Sequence, residues 1–172
     1  MKVLIVIDMQ NDFIDGALGT EEAVKIVDKV KGKIDSYLAA GDTVLYTQDT
    51  HTEAYLQTQE GQKLPVEHCI KGTPGWEISQ KVYVSGCQVI EKPSFGSIEL
   101  AELMAGMKEI QSIELIGLCT DICVISNALI LKAKMPEIPI VVDSSCCAGA
   151  TWAGHQNALQ AMKICQIEVS GG

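Results

Sequence analysis

Short runs of β-branched and other apolar residues alternate along this chain with longer segments whose apolar residues recur at helical spacing. The first run, VLIVI, covers residues 3–7, and in 21–38 the apolar residues then lie mostly three or four positions apart before Gly41. Uninterrupted runs are typical of strands buried on both faces, whereas the second spacing is typical of an amphipathic helix. The alternation predicts an α/β fold with a parallel sheet.

This alternation continues to the end of the chain. The predicted strands are 3–7, 43–47, 87–91, 113–118, 138–142 and 165–169, and the predicted helices are 21–38, 97–107, 120–134 and 152–164. Between them, residues 49–86 form a long irregular segment rich in Gly and Pro, and a loop of that length usually carries function. The chain has 172 residues, and we expect a single domain over residues 1–172.

Charge and cysteine usage exclude several classes of protein. The net charge of −9 makes nucleic acid and anionic membranes poor partners, and all 13 basic residues are Lys, which disfavours a bidentate carboxylate or phosphate site. The seven Cys include no CxxC pair and suggest no disulfide framework. The apolar N-terminal run is interpreted as a strand and not as a signal peptide, and no stretch has the length of a membrane span. We expect a cytoplasmic protein.

Three reactive side chains follow predicted strands. Asp8 follows the first strand, Lys92 follows the third, and Cys123 falls in the first turn of the helix after the fourth. Ligands of parallel α/β sheets bind beyond the carboxyl ends of the strands, so these side chains share the functional edge. A helix start lowers the pKa of a thiol, and a nearby Lys stabilises a thiolate. The alternative is that Cys123 is a small buried hydrophobic residue.

The segment QDTHTEAYLQTQEGQKLPVEHC, residues 48–69, contains a possible set of metal ligands. Asp49 and His51 straddle a strand end, and Glu60 and His68 follow in the loop. Imidazoles with carboxylates suit zinc, iron or manganese, although short DxH patterns also recur by chance in ordinary loops. The remaining histidine, His155, lies near a helix start and is interpreted as structural or capping.

Five segments in order resemble the motifs of the isochorismatase-like cysteine hydrolases, and among these most closely the nicotinamidases. They are VIDMQNDF, DTH…LPVEHCIKGTPGW, EKPSFGS, GLCTDICV and VVDSSCCAGATWAGHQNAL. The resemblance extends from Lys2 to about Cys165. It implies a three-layer α/β/α architecture with a mostly parallel, six-stranded, Rossmann-like sheet.

The resemblance also implies roles for individual residues. Asp8, Lys92 and Cys123 would be the catalytic triad. A cis peptide between Leu118 and Cys119 would turn the N–H of Cys119 to join that of Cys123 in an oxyanion hole. The side chains that would flank the substrate ring are Phe13, Leu64 and Phe95. Two departures from the family pattern bear on substrate shape: Cys119 replaces a small residue, and SFGS replaces the commoner aromatic-Ser-Ala-Phe.

The implied cofactor is one divalent transition metal, with zinc expected and iron or manganese as alternatives. Its ligands would be Asp49, His51 and His68, with Glu60 bound directly or through water. The implied reaction is hydrolysis of a small amide, nicotinamide to nicotinate and ammonia, with the metal ligating the pyridine nitrogen. We also expect a homo-oligomer.

Two other functions stay open at this point. One is another cysteine amidase of the same family, similar to N-carbamoylsarcosine amidase. The other is a thiol-rich redox or metal-binding protein, which would need neither Asp8 nor Lys92. The isochorismatases themselves are disfavoured, because they lack the nucleophilic Cys and act on carboxylates that an Arg-free chain would bind poorly.

Overall fold

The computed structural model describes residues 1–172 and contains one six-stranded sheet. Its strands are β1 (Lys2–Ile7), β2 (Thr43–Asp49), β3 (Gln88–Lys92), β4 (Ser112–Leu118), β5 (Ile140–Ala148) and β6 (Glu168–Ser170). All pairings are parallel, and the strand order is β3-β2-β1-β4-β5-β6. The predicted α/β fold with a parallel, six-stranded sheet is confirmed.

Six helices accompany the sheet. They are α1 (Asn11–Ile14), α2 (Glu21–Ala39), α3 (Gln59–Lys63), α4 (Ile98–Gly106), α5 (Ile125–Lys134) and α6 (Trp152–Ile164). Thr20 and Thr151 begin α2 and α6, because each side chain accepts a hydrogen bond from a backbone N–H in the first turn. The longer helices were predicted from sequence, whereas α1 and α3 are too short to show a helical period. None of the helices is long and apolar enough to cross a membrane.

Alternate residues of β1 face two different apolar layers. Val3 and Ile5 pack with residues of α4, α5 and α6, whereas Leu4 and Val6 pack with residues of α2. Since all four side chains are fully buried, the strand is covered on both faces. This arrangement is the predicted three-layer α/β/α architecture.

The two C-terminal strands differ from their predicted bounds. β5 continues to Ala148, six residues beyond the predicted end, although its second half contains the polar pair Ser144–Ser145. The pairing register between β4 and β5 shifts between Leu115 and Gly117. The second half of β5 then pairs with the end of β4 in the shifted register. β6 is only three residues long and starts at Glu168, because the turn after α6 occupies the residues before it.

The long segment after β2 folds over the carboxyl edge of the sheet. An isolated bridge joins His51 to Ile70, and another joins Gln10 to Ile78. The side-chain amide of Gln10 donates to the carbonyls of Asp49 and Trp76 and accepts from the N–H of Asp49. These contacts hold the segment above the ends of β1 and β2, where the predicted functional residues lie.

Candidate active site

Four neighbouring strands deliver the predicted site residues to one place. Asp8 follows β1, Asp49 and Lys92 are the last residues of β2 and β3, and Cys123 lies in the π-helical turn Thr120–Val124 just after β4. These strands are adjacent in the order β3-β2-β1-β4, so their carboxyl ends converge. The sequence expectation that Asp8, Lys92 and Cys123 share one edge is met by the geometry.

Lys92 is the centre of this group. Its ammonium Nζ lies 2.6 Å from Oδ2 of Asp8 and 3.5 Å from Sγ of Cys123. It also lies 3.2 Å from Oδ1 of Asp49 and donates to the carbonyl of Ser94. Burial alone would lower the pKa of Lys92, but the negative charges around it raise the pKa above its usual value. Lys92 is therefore a cation in the folded protein.

Asp8 is held through both carboxylate oxygens. The Thr47 hydroxyl donates to Oδ1 at 2.6 Å, and Oδ2 faces the ammonium of Lys92. Complete burial raises the pKa of Asp8, and the charge of Lys92 opposes that rise without cancelling it. A carboxylate with a raised pKa is a stronger base than an exposed one, which suits it to accept a proton from a thiol.

Cys123 differs in one respect from the sequence expectation. A helix start was expected to lower the pKa of its thiol, but the side chain is almost fully buried. Burial and the nearby negative charge of Asp8 raise the pKa of Cys123, and the Lys92 cation only partly offsets this. The resting group is therefore a neutral thiol beside a base. The prediction of a lowered pKa was wrong because the sequence does not show how deeply the turn is buried.

A second cluster lies beside the first. Ligand atoms of Asp49, His51 and His68 all lie within 4.8 Å of one another, and all three residues are buried. Glu60 adds a carboxylate oxygen 3.6 Å from Nε2 of His51 and 3.7 Å from Nε2 of His68. The predicted ligands are thus brought together, and Asp49 belongs to both clusters, because its other oxygen faces Lys92.

Two details of this cluster fit a divalent metal. The Nε2 atom of His51 is buried and lies 3.0 Å from Oδ2 of Asp49 without making a well-aligned hydrogen bond, and a buried polar atom in that position is destabilising unless something else binds it. Nδ1 of His68 lies 2.8 Å from the carbonyl of Val66, so that carbonyl fixes Nδ1 as the protonated nitrogen. In the neutral ring the lone pair of His68 is then on Nε2, which faces the other ligands, and metal-binding histidines typically donate their other N–H to a carbonyl in this way.

Members of both clusters, among them Cys123 and His68, line a small cavity of about 40 Å³. Its lining includes the three residues that were predicted to flank the substrate, Phe13, Leu64 and Phe95, and also Cys119 and Cys123. Phe13 is buried, whereas Leu64 and Phe95 are partly exposed at its rim. The peptide bond between Leu118 and Cys119 is cis, as the resemblance implied.

Several residues around the site were not found from sequence. Leu18 and Ile122 complete the cavity wall, and the ring of Tyr55 packs against both His51 and His68. Thr47 and Asn127 are buried and hydrogen-bond to site residues. For Thr47 and Asn127, the available signal was a polar side chain among the apolar residues of a predicted strand or helix.

His155 lies outside the cavity lining. Its Nδ1 is 2.8 Å from the Thr120 hydroxyl, which fits the expected structural role.

Comparison with known proteins decides the family. The isochorismatase domain model matches residues 2–171. The chain belongs to the isochorismatase family. The family predicted from the five motifs is therefore confirmed.

Solved structures extend the comparison. The nicotinamidase PncA from Bacillus subtilis is 28% identical, with 98% of each chain covered and a TM-score of 0.84. The pyrazinamidase of Pyrococcus horikoshii, solved in complex with zinc, is 27% identical, with 99% of each chain covered and a TM-score of 0.87. The N-carbamoylsarcosine amidase from Thermoplasma acidophilum is 25% identical, covering 98% of this chain and 95% of that one, with a TM-score of 0.82.

Membership of the isochorismatase family makes this chain a hydrolase, and the nicotinamidase, pyrazinamidase and N-carbamoylsarcosine amidase among its structural neighbours are amide-hydrolysing enzymes. The predicted enzyme class, a hydrolase of linear amide C–N bonds, is therefore confirmed. The zinc in the P. horikoshii structure shows that a protein of this fold binds metal.

Proposed function

We propose that this chain is a metal-dependent nicotinamidase, which hydrolyses nicotinamide to nicotinate and ammonia with a catalytic triad of Cys123, Asp8 and Lys92. The observation that carries the proposal is the placement of the Lys92 ammonium between Asp8 and Cys123, with Cys123 lining a cavity that Asp49, Glu60 and His68 also line. The thiol and three of the four proposed metal ligands thus face the same small space, with the base buried next to them.

In the first half of the reaction, Asp8 takes the proton from the thiol of Cys123 as the sulfur attacks the amide carbonyl carbon. A C–S bond forms, and the negative charge on the carbonyl oxygen is stabilised by the backbone N–H groups of Cys119 and Cys123. Lys92 stabilises the negative charge as it passes from Asp8 to the sulfur. Asp8 then gives the proton to the departing nitrogen, the C–N bond breaks, and ammonia leaves behind a thioester.

The second half repeats these roles with water as the nucleophile. Asp8 accepts a proton from water, and the oxygen attacks the thioester carbon. The same N–H groups stabilise the oxyanion. The C–S bond breaks, nicotinate leaves, and the proton on Asp8 returns to the sulfur of Cys123. Reactants and products therefore balance as amide plus water giving acid plus ammonia.

Asp49, His51 and His68 would hold the metal, with Glu60 as a direct or water-bridged ligand and zinc as the proposed ion. When bound, the metal would supply a Lewis acid for the lone pair of the pyridine nitrogen and would so help to orient the ring. Phe13 and Phe95 would contact the ring, and Leu64 would close the rim. The cavity is much smaller than the roughly 300–1,000 Å³ pockets of drug-sized ligands, so it favours a small substrate.

The test compares three amides on the purified, metal-loaded protein by ammonia release. Nicotinamide is the expected substrate. Benzamide is the matched control, because it keeps the ring and the carboxamide and lacks only the ring nitrogen. We expect kcat/KM for benzamide to be lower by at least about tenfold, or roughly 1.4 kcal/mol. Equal rates for the two would contradict the proposed role of the metal.

The third amide, N-carbamoylsarcosine, represents the second candidate function, which the similarity to the Thermoplasma acidophilum amidase favours. Faster release from it than from nicotinamide would place the chain in that branch. A thiol-rich redox protein would release ammonia from none of the three. The homo-oligomeric state stays a prediction, which light scattering on the purified protein would test.

A further inference from the structure

The side chain of Asn127 makes three hydrogen bonds inside the core and has no exposed surface. Its amide Nδ2 donates to the carbonyl of Cys123 at 2.8 Å and to the carbonyl of Phe95 at 3.1 Å. Its Oδ1 accepts from the backbone N–H of Ser97 at 3.0 Å. One buried amide therefore joins the turn that carries the thiol to the segment 93–97.

This segment, 93–97, connects β3 to α4 and contributes twice to the proposed site. The carbonyl of Ser94 accepts a hydrogen bond from Nζ of Lys92, and the Phe95 side chain forms part of the cavity wall. Its far end is fixed by Ser97, whose hydroxyl accepts from the N–H of Leu100 and so begins α4. The position of the segment relative to Cys123 thus sets both the Lys92 contact and the cavity wall.

The packing leaves few other attachments between the segment and α5. A Cβ added to Gly96 would collide with the end of the Ile130 side chain, so the backbone lies directly on the helix there. The only hydrogen bonds from an α5 side chain to the segment are those of Asn127. Apolar packing is non-directional, whereas hydrogen bonds to both a carbonyl and an N–H fix the backbone in one register.

We propose that Asn127 is a positioning residue, which fixes the cavity wall at Phe95 and the Ser94 carbonyl relative to the nucleophile Cys123. This inference rests on the proposed function for the identity of the nucleophile. Asn is suited to the role because its side chain offers two donors and an acceptor together. A Thr at this position could bond the Cys123 carbonyl one helical turn back, but it is too short and has too few donors to hold 93–97 as well.

The experiment uses Asn127→Thr and Asn127→Ala in the full chain, with Ser126→Ala as the matched control. The Ser126 hydroxyl bonds only the carbonyl of Ile122, within the same helical stretch, so its loss leaves the segment attached. Steady-state kinetics with nicotinamide are normalised to the fraction of Cys123 that iodoacetamide titrates. We expect kcat/KM per titrated thiol to fall by at least about tenfold in both Asn127 variants and to stay within about twofold in the control.

A second measurement distinguishes a local displacement of segment 93–97 from a loss of stability of the whole fold. Iodoacetamide labelling is followed by peptide mass spectrometry at Cys123 and at Cys147, which is equally buried but lies on β5 and makes no hydrogen bond to Asn127. If segment 93–97 detaches from α5, the cavity wall at Phe95 opens, and the labelling rate of Cys123 should rise by at least about threefold while Cys147 stays protected. Local opening exposes one region of the protein, whereas global unfolding exposes every thiol.

Equal increases at both thiols, or no increase at Cys123, would overturn the proposal. So would Asn127 variants whose kcat/KM per titrated thiol matches that of Ser126→Ala. If the wild-type protein hydrolyses no amide, the proposed function fails, and the ratio of labelling rates at Cys123 and Cys147 alone decides whether Asn127 positions the segment.

Discussion

The ammonium of Lys92 lies 2.6 Å from Oδ2 of Asp8, and both side chains are completely buried. Removing one partner of a buried ion pair leaves an uncompensated charge, so each residue depends on the other for its charged state. Asp49 contacts the same ammonium at 3.2 Å and also belongs to the metal cluster. The proposed triad and the proposed metal site are therefore joined through one lysine.

Cys123→Ala should abolish amide hydrolysis, because no other thiol lies against both Lys92 and Asp8. The fold and the bound metal should be retained, which circular dichroism and metal analysis would check. Cys119→Ala is the matched control, since only its backbone N–H is used, and it should keep most of the activity. Comparable activity in the two variants would show that Cys123 is not the nucleophile.

Lys92→Met should raise the pKa of Cys123 further. Burial and the charge of Asp8 raise this pKa, and the substitution removes the cation that partly offsets them. The pH at which iodoacetamide labels Cys123 half-maximally should move upward. Lys71→Met is the control, since Lys71 is an exposed lysine paired with Glu91. An unchanged midpoint in Lys92→Met would remove Lys92 from the triad.

His51→Ala should lose most of the bound metal and most of the activity, because it removes one of the three buried side chains whose ligand atoms lie within 4.8 Å of one another. Metal content per chain, measured by mass spectrometry after dialysis, is the direct readout. His155→Ala changes a buried histidine outside this cluster and should retain the metal. Stoichiometric metal in His51→Ala would exclude the site as proposed.

Asp143→Asn should lower the free energy of unfolding at neutral pH by about 1–3 kcal/mol, because Lys33 contacts the carboxylate at 2.7 Å. Burial would raise the pKa of Asp143, but the hydrogen bonds from Lys33 and Ser145 lower it below its usual value. The stabilisation is therefore present above the unfolded pKa of about 4 and disappears as the pH falls through the folded pKa.

Urea unfolding of both proteins at neutral and acidic pH would measure this difference. Asp35→Asn is the control, because Asp35 pairs with Lys31 on the exposed side of α2, and such pairs contribute about 0.5 kcal/mol or less. A difference between Asp143→Asn and the wild type that grows as the pH falls would contradict the assigned sign.

The chain carries enough local information to define its elements and the edge at which chemistry occurs. The run Val3–Ile7 is apolar at every position because both faces of β1 are covered, and the polar residue that follows it has to lie at the strand end. The same logic placed Lys92 at the end of β3 and Cys123 just after β4. The short helices were missed because they show no helical period, and the continuation of β5 to Ala148 was missed because it depends on pairing with β4.

The sequence by itself determined which reactive side chains end neighbouring strands, since strand periodicity and strand-end polarity are local properties. Only the tertiary structure decided how deeply those groups are buried, and burial sets their protonation. It raises the pKa of Cys123 where a helix start alone would lower it. It also brings Asn127 to segment 93–97, thirty residues away along the chain. Desolvation and long-range hydrogen bonds arise from packing between elements, and no local pattern encodes them.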